Sequence, residues 1–62
     1  MKRKEFVKLL EKQKCTLFRE GGNHSIFLNT VNNKISAVPR HSEIKDLLCK
    51  KICKDLAVIF KK

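Results

Sequence analysis

The chain has 62 residues, and a chain of that length buries only about 60% of the surface it exposes when unfolded, so its core is thin. That leaves room for one domain spanning residues 1–62 and excludes a deep, enclosed pocket for a small metabolite or dinucleotide. Fifteen Lys and Arg against six Asp and Glu give a formal charge of +9, far above what solubility needs, so the expected partner is a polyanion held through its phosphates.

The plainer reading of this charge is a lysine-rich solvated surface. No apolar run reaches the roughly 20 residues that span a bilayer. The start "MKRKEFVKLLEKQK" has no unbroken apolar stretch of the kind found in a secretory signal, so a cytoplasmic protein is expected. Three cysteines, Cys15, Cys49 and Cys53, cannot pair evenly, which fits a reducing compartment. The C-x3-C step from Cys49 to Cys53 lacks the C-x2-C knuckle of a zinc site. No metal or cofactor is therefore expected, and the cysteines read as small buried hydrophobes.

In chain order, "RKEFVKLLEKQK" places Phe6, Leu9 and Leu10, with Val7 beside them, on one helical face among lysines, which predicts a first helix of about three turns. "CTLFRE" and "HSIFLN", separated by Gly21 and Gly22, read as two strands of a hairpin. A break at "NTVNNK", where Asn32 and Asn33 tolerate positive φ, leads into the strand "KISAVP", which Pro39 ends because it has no N–H for a ladder. From about Ser42 to Phe60 the helical period returns, with Leu48, Cys49, Ile52, Cys53, Leu56, Ile59 and Phe60 on one broad arc. The expected fold is a two-layer α+β domain, α-β-β-β-α. Both helices lie on one face of a three-stranded antiparallel sheet, and the other face is open to solvent.

An open sheet face in a basic domain suits nucleic acid, which directs attention to "EGGNHSIF". Strict alternation puts His24, Ile26 and Leu28 on one face, but a residue just after a glycine turn often escapes alternation. At this point His24 is either a satisfied core histidine or a functional one. RNA carries its own nucleophile in the 2′-hydroxyl. An imidazole titrating near neutrality can move the required protons, with Lys or Arg to stabilise the phosphorane. Gly21 and Gly22 let the backbone approach a phosphate closely.

"GGNHSIF", followed about a dozen residues later by "AVPRHSEIKDLLCKKICKDLAV", resembles the HicA family of bacterial toxins, small mRNA interferases also called YcfA-like proteins. The resemblance spans nearly the whole chain, from the "EFVKLLEK" helix through the glycine–x–histidine turn and the "VPRH" strand end to the last helix. It implies a fold similar to the double-stranded-RNA-binding domain. It also implies a metal-independent endoribonuclease that cleaves mRNA and is neutralised by a HicB-type antitoxin. Such a toxin is a monomer when free and a hetero-oligomer with its antitoxin. The family's turn maps onto Gly22, Asn23 and His24, so His24 carries over as the catalytic residue and Gly22 as its support, and the antitoxin is expected to cover this region.

Arg19 and Arg40 flank the strands nearest the turn and read either as phosphate partners, since guanidinium groups match phosphate bidentately, or as plain surface charge. His41, in "VPRHSE", is a second acid–base group, a phosphate contact, or a solvated residue before a helix capped by Ser42. Lys61 and Lys62 read as solvated. The family commonly has serine at Asn23, a second histidine at Ser25, and glycine and threonine at Leu47 and Leu48. It also has a glycine near the helix end that "DLAV" lacks, which predicts a weaker stop. Two other classes fit the composition: a non-catalytic RNA-binding module, and an interaction protein whose basic face serves an acidic partner.

Overall fold

A computed structural model describes residues 1–60; Lys61 and Lys62 lie outside the described residues. The elements run α1 (Arg3–Lys12), β1 (Cys15–Gly21), β2 (His24–Asn29), β3 (Ile35–Pro39) and α2 (Asp46–Leu56). The strands form one antiparallel sheet in the order β1-β2-β3, with β2 central. The expected α-β-β-β-α architecture is present.

Phe6 and Leu10, one turn apart on α1, are fully buried, and Val7 and Leu9 pack at the margin. The helix stops at Lys12, two residues before the end of its polar pattern. The N–H groups of Gln13 and Lys14 bond back to Leu10 and Glu11, and Lys14 turns the chain at φ 71°. Gly21 pairs with His24, which leaves Gly22 and Asn23 as a two-residue turn, with Gly22 at φ 22°. The next turn uses Asn33 at φ 63°, as the asparagine pair predicts. Asn29 is buried there: its Oδ1 accepts from the Val31 N–H, and its Nδ2 donates to the Leu56 carbonyl at 2.8 Å.

The second helix is shorter than its hydrophobic period. Ser42 to Lys45 stay outside it because they are bound to the N-terminal segment: Arg3 N–H donates to Ser42 O, Ile44 N–H to Met1 O, and Lys2 bridges Glu43 as in a strand pair. Lys45, not Ser42, occupies the capping position, and it makes no side-chain cap. At the other end Ala57 turns left-handed at φ 58°. Its N–H bonds to Lys54 O and that of Val58 to Cys53 O, a Schellman stop without glycine. The predicted weak stop is thus a closed one. Leu48 and Ile59, assigned to the buried arc, are 38% and 65% exposed; Ile59 lies past the helix, fastened through its backbone to the Gln13 side chain.

The core unites Phe6 and Leu10 of α1, Cys15, Phe27 and Val38 of the strands, Ile44, and Cys49, Ile52, Cys53 and Leu56 of α2. Every strand contribution comes from one sheet face. On the other face Thr16, His24, Ile35 and Ala37 are exposed, and Ile26 and Leu28 are half-buried. Among the described residues no helix is long and apolar enough to cross a membrane.

Candidate active site at the ends of the strands

His24 opens β2, and the alternation of burial settles its orientation. Ser25, Phe27 and Asn29 are buried, so His24, Ile26 and Leu28 face the open side, and His24 is exposed. Its cross-strand partners are Gly21 and Pro39. Glycine presents no side chain, so the imidazole is open on the β1 side. The two-residue turn of Gly22 and Asn23 lies directly beside it, with both residues exposed.

Arg19 reaches the same face through an irregularity in β1. The register shifts between Leu17 and Arg19, which leaves Phe18 as the extra residue of a bulge. Beyond it, Arg19 pairs with Ile26 and Gly21 with His24, while Glu20 pairs with Ser25 on the helix side. Without the bulge, Arg19 and Glu20 would exchange faces. Arg19 therefore stands diagonal to His24 on the open face.

Arg40 follows Pro39, but its guanidinium is engaged elsewhere, donating to Glu20 Oε1 at 2.7 Å. The same oxygen accepts from the Ser25 hydroxyl at 2.8 Å. Ser25 Oγ in turn accepts from Arg3 at 3.0 Å, and Arg3 Nε donates to the Pro39 carbonyl at 2.9 Å. The Ser25 hydroxyl, and after it Arg40, hold the Glu20 carboxyl below the ordinary carboxylate range. This node ties α1 to the ends of all three strands beside His24. His41 lies two residues past Pro39, outside the ladder, and is exposed.

Of the residues expected from sequence, His24, Gly22, Asn23 and Arg19 come together on the open face at the β1–β2 end. Arg40 is drawn to Glu20, and His41 stands in the linker. The sequence assigns no role to Arg3, Glu20 or Ser25. A serine in an inward slot of a strand was the available signal, because a buried hydroxyl requires partners.

Elsewhere, an apolar groove between α1 and Ile59, lined by Met1, Leu9 and Gln13, lies in the helix layer, across the sheet from His24. Cys15, Cys49 and Cys53 are buried in the core. Among the described residues no group of three or more His, Cys, Asp or Glu side chains is placed to hold a metal ion.

Compared with protein-family models, residues 3–58 match the HicA toxin of bacterial toxin-antitoxin systems. Comparisons with curated proteins and with solved structures give no significant match. The match covers all five elements and the turn that carries His24: the chain belongs to the HicA toxin family.

Proposed function

We propose that this protein is a single-domain toxin that acts in the cytoplasm as an endoribonuclease on mRNA, with His24 as its catalytic residue. The observation that carries the reading is the exposed imidazole of His24, beside a glycine turn on the open face of a basic HicA-family chain.

The chemistry asks little of the protein because RNA supplies the nucleophile. The His24 imidazole takes the proton from the 2′-hydroxyl as its oxygen attacks the adjacent phosphorus. The bond from phosphorus to the 5′-oxygen then breaks, and that oxygen leaves with a proton delivered by water or by His41. The products are a 2′,3′-cyclic phosphate and a free 5′-hydroxyl. Arg19, diagonal to His24 on the open face, stabilises the extra charge on the phosphorane, and the turn of Gly22 and Asn23 lets the RNA backbone approach. Acid–base chemistry of this kind runs without a metal ion.

A HicB-type antitoxin neutralises the toxin by covering the face that bears His24. The free toxin is a monomer, and the inhibited form is a hetero-oligomer with the antitoxin.

The test is to incubate wild type, His24→Ala and His24→Gln with a structured mRNA in EDTA and to analyse the fragment ends. Cleavage by wild type alone, leaving cyclic phosphate ends, is expected, with a loss of at least about a hundredfold in the variants. Equal cleavage by all three would remove His24 from the chemistry. Intact RNA with binding preserved would replace the enzyme by an RNA-binding module.

A further inference from the structure

We propose that Arg3, Ser25 and Arg40 form a second phosphate site on the helix side of the sheet end that carries His24, one that the carboxylate of Glu20 fills in the free protein. The inference rests on the RNA-cleaving reading only in taking RNA as the source of the phosphate.

The donors are already arranged around one anionic oxygen. Glu20 Oε1 receives the Ser25 hydroxyl at 2.8 Å and the Arg40 guanidinium at 2.7 Å. Arg3 backs the hydroxyl at 3.0 Å and is itself fixed to the Pro39 carbonyl. One guanidinium thus meets the oxygen directly and a second supports the hydroxyl that meets it, a donor set that also suits a phosphodiester oxygen.

The two sides of the contact differ in how firmly they are held. Ser25 is 1% exposed, so its hydroxyl stays in place. The Glu20 side chain is 55% exposed and can swing into water without opening the core. An ion pair this exposed adds little to stability. Glu20, Ser25 and Arg40 are chain neighbours of Gly21, His24 and Pro39, which form one row across the three strands. The site therefore lies at the same strand ends as His24 but on the helix side of the sheet, where it takes a phosphate other than the one that faces His24. Glu20 acts as an internal competitor that RNA must displace.

The experiment is a double-mutant cycle in the His24→Ala background, which keeps the RNA intact. It compares that protein with versions carrying Glu20→Gln, Arg40→Ala, or both, by anisotropy of a mixed-sequence single-stranded RNA over a salt series. Glutamine keeps an oxygen for Ser25 but surrenders the charge that holds Arg40, and thermal unfolding checks that each variant is folded. Glu20→Gln is expected to bind RNA about fivefold more tightly at low salt, with a log–log salt slope steeper by about 0.7, the increment of one added phosphate on a single strand. Adding Arg40→Ala is expected to cancel both gains. Unchanged affinity and slope in Glu20→Gln would overturn the site, as would a gain that survives Arg40→Ala or an absence of RNA binding in all four proteins. Cleavage by wild type is scored separately. A wild type that binds, fails to cleave and still shows the cycle sinks the ribonuclease and leaves the site standing; His24-dependent cleavage without an Arg40-dependent gain sinks the site alone.

Discussion

His24 and Ser25 are adjacent in β2 and have opposite surroundings, one exposed and the other sealed among partners, because successive strand residues face opposite sides of the sheet. The cysteines belong wholly to the sealed side. Burial, and then the nearness of Cys49 and Cys15, pushes the Cys53 thiol up to about 11. A thiol raised in the folded state stabilises fully while both states keep it protonated. That contribution is lost as pH climbs from the ordinary thiol range towards the folded value. Guanidinium unfolding is therefore expected to show a midpoint that falls steadily over this alkaline window. Cys53→Ala should start less stable from the cavity it leaves, by about 1–2 kcal/mol, and should show a shallower alkaline decline. Parallel declines in the two proteins would show that Cys53 plays no part in it.

At the scale of elements, the clearest departure from local preference is Ala57, which takes the left-handed conformation at φ 58° where glycine carries no penalty. Ala57→Gly is expected to stabilise the fold by about 0.5–1 kcal/mol, which in a domain of this size raises Tm by about 4–8 °C. A lower Tm would mean that glycine's freedom in the unfolded chain outweighs the relieved strain. The same helix shows how far the sequence could be read. The period of Cys49, Ile52, Cys53 and Leu56 identified the helix and its inward face, because those residues meet the sheet. It overran both ends, because Ser42 and Ile44 are held by hydrogen bonds to Arg3 and Met1 and Ile59 by Gln13, contacts between segments about 40 residues apart that no local pattern encodes. β1 carries the same lesson for the site. The bulge at Phe18 decides that Arg19 joins His24 and Glu20 joins Ser25, and "CTLFRE" contains no glycine or proline to announce it. Gly22 and His24 were legible because a two-residue turn and a following strand are local features.

Considered whole, the molecule has a helix layer that closes the core and a sheet face that mixes charge with apolar surface. Ile35 is 55% exposed on β3 and pairs with half-buried Leu28, on the face that carries His24 and Arg19. RNA and a protein inhibitor would use such a face differently. RNA is drawn by the excess positive charge, which lies in the helices and connections, with Arg19 the one Lys or Arg in the strands, and its phosphates gain nothing from an isoleucine. A protein that covers His24 gains by burying Ile35 and its neighbours. Ile35→Gln keeps the charge and removes most of that apolar contact, and at so exposed a position it should change stability by no more than about 0.5 kcal/mol. The expected outcome is an antitoxin complex about tenfold weaker, with RNA cleavage within about twofold of wild type. Titration of the two proteins with antitoxin, read by residual cleavage, measures both at once. An unchanged inhibition curve would place the antitoxin away from this face, and cleavage falling in step with inhibition would show that the RNA path crosses Ile35 as well.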